Sequence, residues 1–296
     1  LVSDPWRNAR LTALHACSDL WASGAMVTSA QAVITVPAVS SPLQSELLRQ
    51  TLAGLQSALE PQGAALIGGH TLEARHPTPS PASLGIQVTL CVNGQVKRKH
   101  TRAGWSKRGL QRGDQLLLSR PLGTGVLFAA AMQGAADADD LDRAERMMGS
   151  SQHSLLEQLL SEETEQEELH ACTDITGFGL LGHLGEMLDD HCRLQLDAWR
   201  IPSLNGALEL LEAGHCSSLA PANRSAWHWL DAPGGNADPR IHLNLEGLQV
   251  GESHHRAVLE LLVDPQTCGP LLIGCSETLA TRLESLHAWH RIGCVL

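Results

Sequence analysis

Residues 172–190, CTDITGFGLLGHLGEMLDD, place an acidic residue between two threonines and follow it with two glycines and an amphipathic run. The apolar residues of that run recur every three or four positions and predict one face of a helix: Phe178, Leu181, Leu184 and Leu188. Asp174 and Thr176 should therefore lie at or just before the N-terminus of this helix, where the glycines let the backbone turn sharply. Free N–H groups and the positive end of the helix dipole would face a ligand there.

Two interpretations of this stretch are compatible with its composition. A carboxylate beside such a turn can hold a divalent cation, and the cation in turn holds phosphate groups. Alternatively, Asp174 or Thr176 simply caps the helix, and the glycines only help the helix to start. Composition by itself favours the capping interpretation, because the motif is not a Walker sequence. The remaining motifs of the chain change that balance.

The length and composition of the chain indicate two domains and no membrane-spanning segment. The chain has 296 residues, of which 43% are hydrophobic, and it contains no run of roughly eighteen apolar residues. A formal net charge of −11 argues against a large nucleic-acid surface, but it is compatible with nucleotides bound through Mg²⁺. The eight cysteines include no CxxC pair, so we expect neither a zinc ribbon nor a disulfide framework, and a cytoplasmic location is expected.

Helical and strand-like segments alternate along the chain, which predicts an α/β or α+β fold. We predict helices over residues 4–22, 41–59, 126–133, 141–160, 205–213 and 277–289, and strands over residues 26–36, 64–67, 84–92, 115–119, 192–196, 271–274 and 291–295. The only basic segment, residues 95–112, is interpreted as a solvated hairpin and linker. A turn after it predicts an N-terminal domain of residues 1–113 and a C-terminal domain of residues 114–296.

Two features of the first domain are weak indications of a binding site. Asp19 lies near the C-terminal end of the first predicted helix, where a carboxylate opposes the helix dipole unless a cation or a partner compensates. A short buried strand is predicted over residues 64–67, and it runs directly into Gly68-Gly69-His70-Thr71. Two glycines there permit close backbone approach. A solvated aspartate and an ordinary turn would explain the same residues.

Five stretches taken together resemble the selenophosphate synthetases, or selenide, water dikinases, of the aminoimidazole ribonucleotide synthetase-like superfamily. They are ACSDLWASGA at residues 16–25, ALIGGHT at 65–71, SRPLGTGV at 119–126, CTDITGFGLLGHLGEM at 172–187 and VDPQTCG at 263–269. The resemblance covers nearly the whole chain, and TDITGFGLLGH followed by DPQT is its most specific part. Other members of the superfamily, such as thiamine monophosphate kinases, match these strings less well.

The resemblance implies that ATP, selenide and water are converted to selenophosphate, AMP and phosphate. It implies that Asp19 and Asp174 bind the Mg²⁺ ions that hold the triphosphate, and that Gly69, His70 and Thr71 contact the nucleotide of a partner subunit. A homodimer is expected, in which strands of the two first domains form a barrel and the second domain packs outside as an α/β layer. No nucleic-acid or membrane partner is expected. Asp264, at the start of the DPQT motif, is interpreted as capping a turn at a strand end rather than as catalytic.

The chain also departs from the family pattern, most of all at its start. The family carries upstream a glycine-rich loop, a reactive Cys or selenocysteine and a Lys, whereas this sequence begins at Leu1, after the region where they belong. We therefore expect the catalytic nucleophile and Lys upstream of Leu1, and residues 1–296 alone to be inactive; Cys17 is not that nucleophile. His15 stands where the family often has Asn, and Pro270 where it has Gly.

Two alternatives to selenophosphate synthesis follow from these departures. The chain could be a degenerate or fragmentary, non-catalytic module for nucleotide binding and dimerisation. It could also be another small-molecule kinase of the superfamily, although TDITGFG and DPQT argue against this.

Overall fold

The computed structural model describes residues 3–74, 85–96, 104–161, 168–230, 239–246 and 251–296. Residues 97–103 of the basic segment, and the first residue of the strand predicted over 84–92, lie outside the described residues. The described residues mix helices and strands throughout, so the predicted α/β or α+β class is confirmed.

The helices and strands follow one another along the whole described chain. The helices are α1 (Pro5–Ala22), α2 (Ser41–Leu59), α3 (Thr124–Met132), α4 (Ala138–Met148), α5 (His153–Leu159), α6 (Gly179–Met187), α7 (Ala207–Glu212), α8 (Ala220–Asn223), α9 (Glu252–Val263) and α10 (Glu277–Ser285). The strands are β1 (Ala25–Val36), β2 (Ala65–Glu73), β3 (Gln87–Val96), β4 (Gln115–Leu118), β5 (Leu169–Asp174), β6 (Leu194–Asp197), β7 (Ile241–Asn244), β8 (Leu271–Cys275) and β9 (His290–Val295).

The chain divides into two compact units. The first comprises Leu1–Gly104 with Met148–Leu156, and the second comprises Trp105–Met147 with Glu157–Leu296. The domain boundary at residue 113 stays a prediction. No helix of the described residues combines the length and the apolar character that crossing a bilayer requires.

The first unit is a three-stranded sheet with two helices on one face. The strand order is β2-β1-β3, with β2 parallel and β3 antiparallel to β1, and both α1 and α2 pack against the sheet. Helix α1 begins as its sequence predicts, because the Asp4 carboxylate accepts the Arg7 N–H at 2.7 Å and Pro5 occupies the first turn. Along β1, alternate residues such as Ala32 and Ile34 are buried beneath the helices.

Strand β2 is longer and more exposed than predicted. The expected short buried strand over 64–67 instead continues through the glycines to Glu73, and Ile67 is 60% exposed. The prediction of burial was wrong because β2 lies at an edge of the described sheet, where one side of the strand has no neighbouring strand. The pairing with β1 is irregular between Ala30 and Gln31, where Ile67 is the extra residue.

Gly69 is required by the contact between β2 and β1. Its φ is +145°, and a Cβ atom there would meet the Ala32 backbone, with the Ala32 carbonyl carbon only 2.7 Å away. Gly68 has a similar φ of +154°, but a Cβ there would meet nothing within 4 Å. The close approach predicted from the glycine pair is therefore an approach to the neighbouring strand.

Replacing Gly69 with Ala is expected to destabilise the first unit by ~2 kcal/mol more than replacing Gly68 with Ala. Both variants carry the strain of a positive φ, but only Gly69→Ala forces a methyl group into the β1 backbone. Thermal denaturation of the two variants, side by side with the wild type, measures the difference. Equal melting temperatures for the two variants would contradict this account of Gly69.

The second unit is a six-stranded mixed sheet in the order β5-β8-β4-β9-β6-β7. All pairs of neighbouring strands are antiparallel except β6 and β7. Leu116, Leu117 and Leu118 of β4 are all fully buried, so both faces of the sheet are covered at its centre. Helix α10 packs on β4 and β9, whereas α3, α6, α7 and α9 pack on one another.

Two sequence predictions are corrected, and one helix was not predicted. The helix predicted over 141–160 is two helices, α4 and α5, separated at residues 149–152. The apolar run at 259–263 is the end of helix α9, which the sequence analysis did not predict. Asp264 therefore follows a helix rather than a strand.

Candidate functional site

Asp174 is the last residue of β5, and its side chain is almost completely buried, with the residue 7% exposed. It pairs with Leu271 of β8, and α6 begins only at Gly179. Asp174 was predicted at or just before the helix N-terminus, and it lies five residues before Gly179, because the pairing with β8 keeps the chain extended up to Asp174. The carboxylate lies at the end of a strand, and the turn of residues 175–178 leads from it to α6.

Three N–H groups in and just after this turn form hydrogen bonds within the protein. Ile175 donates to the Pro270 carbonyl at 2.9 Å, and Thr176 donates to Nε2 of His183 at 3.1 Å. Gly179 donates to the Thr176 carbonyl at 3.2 Å. These three N–H groups are therefore engaged within the protein rather than with a ligand.

Two carbonyl groups of the turn also accept hydrogen bonds from within the protein. The Thr176 carbonyl accepts the Gln266 N–H at 2.9 Å, and the Gly177 carbonyl accepts Nδ2 of Asn223 at 2.8 Å. The same Asn223 amide donates to the Val263 carbonyl at 3.0 Å, so it ties the turn to the end of α9. The backbone after Asp174 is thereby fixed by hydrogen bonds to several separate parts of the chain.

Gly179 allows the sharp backbone turn that was predicted for the glycines of the motif, whereas Phe178 is not buried as predicted. Gly179 has a φ of +69°, and a Cβ there would lie 2.7 Å from the Val263 carbonyl carbon, whereas a Cβ at Gly177 would meet nothing within 4 Å. Phe178 was predicted on the buried face of the helix, but it is 60% exposed. It precedes the first residue of α6, and Leu180 is buried in the core instead.

The DPQT motif holds the N-terminus of α3. Oε1 of Gln266 accepts the N–H groups of Gly123 and Thr124 at 3.0 and 3.2 Å, and the Thr124 hydroxyl at 3.1 Å. Oδ2 of Asp264 accepts the Gly125 N–H at 3.0 Å. Asp264 thus has the capping role that was predicted, although it caps a helix N-terminus rather than a turn at a strand end.

Burial raises the pKa of Asp264 to about 7. The N–H groups of Gly125 and Val126 and the Gln266 amide lower the pKa, but they do not offset the loss of solvation. The folded-state pKa lies above the usual value of 3.8, so the fold favours the protonated carboxyl. The stability that this group contributes is complete below about pH 4 and is lost as the pH rises through about 7.

Replacing Asp264 with Asn is expected to remove this pH dependence. The free energy of unfolding of the variant should increase relative to the wild type by about 3–4 kcal/mol between pH 4 and pH 8, because Asn cannot ionise. Urea denaturation across this range measures the difference between the two proteins. Asp190→Asn, at an exposed position in the same unit, is the control and should give a constant difference. A constant difference for Asp264→Asn as well would contradict the raised pKa.

The other predicted site residues belong to the first unit. Asp19 lies in the last turn of α1 as predicted, its side chain is exposed, and its backbone carbonyl accepts the N–H and hydroxyl of Ser23. Gly69, His70 and Thr71 lie on exposed β2. They line a groove of about 290 Å³ with the side chains of four apolar residues: Ala32, Ile34, Leu52 and Leu66. Asp19 is not among the described residues that line this groove.

The oxygen donors of Asp19 and Asp174 suit Mg²⁺. Within the described ranges, no three His, Cys, Asp or Glu side chains cluster closely enough to form a complete metal site. Mg²⁺ needs fewer protein ligands than this, since it commonly takes one or two carboxylates and completes its shell with phosphate oxygens and water. Each of these two carboxylates, taken by itself, is therefore a suitable ligand for a magnesium ion that is bound together with a phosphorylated ligand.

Family models match both parts of the chain. Residues 1–91 match the model described as AIR synthase related protein, N-terminal domain, and residues 111–291 match the C-terminal domain of the same description. The chain belongs to the AIR synthase related family. The family is one of kinase-type enzymes, and its two-domain fold is the one predicted from the motifs.

Curated relatives within the AIR synthase related family include selenide, water dikinases. The enzyme of that name from Pelobacter propionicus is 32% identical over 286 residues, which cover 96% of this chain and 71% of the relative. The one from Trichlorobacter lovleyi is 32% identical over 290 residues, covering 97% of this chain and 72% of the relative.

Solved structures of the family share this fold at low sequence identity. Thiamine-monophosphate kinase from Stenotrophomonas maltophilia has a TM-score of 0.66 and 18% identity, covering 99% of this chain and 77% of its own. The hydrogenase maturation protein HypE in complex with ATP has a TM-score of 0.63 and 16% identity, covering 97% of this chain and 70% of its own. These likenesses establish the fold alone.

Proposed function

We propose that this protein makes selenophosphate from ATP, selenide and water and releases AMP and phosphate. The observation that carries the proposal is the 32% identity over 96% of the chain to a relative named selenide, water dikinase. The ATP-bound family structure, of a HypE protein, supports the nucleotide part of the proposal. We further propose that the reaction takes place in the cytoplasm.

Asp19 and Asp174 are the proposed ligands for Mg²⁺. Bound Mg²⁺ would neutralise charge on the phosphoryl oxygens of ATP as the phosphate bonds break. Asp174 suits this role because its carboxylate is held on a strand end and followed by a turn whose backbone is fixed by hydrogen bonds. Asp19 offers an exposed carboxylate in an otherwise unfavourable position at a helix C-terminus, which a cation would stabilise.

Gly69, His70 and Thr71 are the proposed nucleotide-contacting residues. The groove that they line and the exposed side chains of His70 and Thr71 support this role. Gly69 does not by itself support it, because its lack of a side chain is already explained by the contact with β1. We propose that the nucleotide they contact belongs to the partner subunit.

A homodimer formed through the first unit is part of the proposal. Val33 of β1 and Leu72 of β2 are 42% and 43% exposed, and the strand register places them on the sheet face opposite α1 and α2. Exposed apolar side chains on a three-stranded sheet are typical of a surface that another chain covers. The proposed barrel would bury these side chains between the two subunits.

A product assay on the full gene product tests the proposed reaction. ATP, Mg²⁺ and selenide are supplied, and phosphorus-containing products are followed by ³¹P NMR. We expect selenide-dependent AMP together with a selenophosphate signal. Selenide-independent ADP would indicate another small-molecule kinase, and intact ATP in a folded, dimeric protein would indicate a non-catalytic module.

A further inference from the structure

His183 holds the turn that follows Asp174. It lies on the buried side of α6, seven residues after Thr176, and its Nε2 atom accepts the Thr176 N–H at 3.1 Å. The Thr176 hydroxyl lies 3.2 Å from the same nitrogen. Two polar groups of one residue thus converge on a single atom of this imidazole.

The hydrogen bonding defines the state of the His183 ring. A backbone N–H can only donate, so Nε2 must accept and carries no proton. The ring proton is then on Nδ1, which lies 3.5 Å from Oε2 of Glu186. A doubly protonated ring would turn a donor towards the Thr176 N–H, so the observed bond requires a neutral imidazole.

The surroundings of the ring favour this neutral state. Burial lowers the pKa of His183, and the nearby charge of Lys107 acts in the same direction. Glu186 and Asp174 act in the opposite direction, and Glu186 is itself paired with Lys107 at 2.7 Å.

We propose that His183 is a positioning residue for Asp174, which acts by holding Thr176 through a hydrogen-bond acceptor. This inference rests on the proposed role of Asp174 in binding Mg²⁺ with ATP. The carboxylate is two residues before Thr176, and the N–H between them, of Ile175, is bonded to Pro270. The Gln266 N–H donates to the Thr176 carbonyl, so the segment is fixed by several hydrogen bonds. Loss of the His183 acceptor would remove one of them.

A packing role for His183 makes a different prediction from a positioning role. If the imidazole only fills space in the core, an apolar side chain of similar size should replace it as well as a polar one. If the acceptor matters, only a side chain with an oxygen or nitrogen near the Nε2 position should serve. His183→Gln retains such an acceptor, and His183→Leu removes it.

The test compares these two variants with the wild type and with Asp174→Asn in the full gene product. Hydrogen exchange of the Thr176 amide reports on the turn, and calorimetric titration with Mg²⁺ and a non-hydrolysable ATP analogue reports on the site. For His183→Leu, we expect exchange about 10-fold faster and affinity about 10-fold weaker, because a buried N–H loses its acceptor. His183→Gln should stay within about 3-fold of the wild type in both.

Several outcomes would overturn the inference. Equal exchange rates and affinities for the Leu and Gln variants would indicate that His183 only packs in the core. If His183→Leu kept wild-type affinity for Mg²⁺ and the ATP analogue although its Thr176 amide exchanged faster, the hydrogen bond to Thr176 would not influence ligand binding. If His183→Leu does not fold, His183→Met provides the same comparison with a more flexible apolar side chain. If the wild type itself binds no nucleotide with Mg²⁺, the proposed function fails, whereas loss of affinity in Asp174→Asn without loss in His183→Leu rejects only the positioning role.

Discussion

Replacing Asp174 with Asn is expected to reduce the Mg²⁺-dependent affinity for ATP by about 100-fold or more, which corresponds to roughly 3 kcal/mol. The substitution removes the charge of a proposed ligand while hardly changing its volume, so the site loses its attraction for the cation. The fold should remain intact, because Asn has nearly the same size and shape as Asp, and the turn that follows is held by hydrogen bonds of its own backbone. Calorimetric titration with ATP in the presence and absence of Mg²⁺ measures the effect.

Asp190→Asn is the matched control for this experiment. Asp190 is exposed, lies in the same unit and follows the end of α6, and its replacement changes the net charge by the same amount. The control should bind Mg²⁺ and ATP as the wild type does. If Asp174→Asn also retained wild-type affinity, Asp174 would have no ligand role and would be a structural residue at the end of β5.

Replacing Gln266 with Leu is expected to lower the stability of the second unit by at least ~3 kcal/mol. Oε1 of this side chain is the acceptor for two N–H groups and one hydroxyl at the N-terminus of α3, all in a buried environment. Leu has a similar size but no acceptor, so these donors would be buried without partners. The melting temperature should fall by about 6–12 °C, as measured by circular dichroism.

Gln56→Leu provides the comparison for Gln266→Leu. Gln56 is exposed on α2, so the same chemical change there removes no buried acceptor and should shift the melting temperature by less than about 2 °C. A small shift for both variants would show that the buried donors of Gly123 and Thr124 find other acceptors. The DPQT motif would then need a different explanation from its hydrogen bonds.

Local signals in the sequence were sufficient to predict several of the helices and strands. Asp4 and Pro5 predicted the start of α1, and the leucine spacing predicted α2 over the residues where it is found, Ser41–Leu59. These signals are local because a cap and an amphipathic face depend on residues within a few turns of one another. Helix α9 was missed because only its last turns, residues 259–263, are continuously apolar.

Burial was predicted less well than element type. Residues 64–67 were expected to be buried because they are apolar, but β2 is exposed because of its place in the sheet order. Phe178 was placed on the buried face of a helix, but α6 begins after it; Leu181, Leu184 and Leu188 of the same predicted face are buried. Sheet order and helix start depend on tertiary pairing, which hydrophobic periodicity does not report.

The sequence alone determined the family, the mixed α/β class, and Asp19, Asp174 and the residues of the GGHT segment as candidates for the site. Motif strings carry this information because they record which residue types stand at which spacing. Only the tertiary structure showed that Gln266 caps Gly123, 143 residues away, and that Asn223 and His183 fix the turn after Asp174. Such contacts join separate parts of the chain, and they form only when packing brings a buried donor and a buried acceptor together.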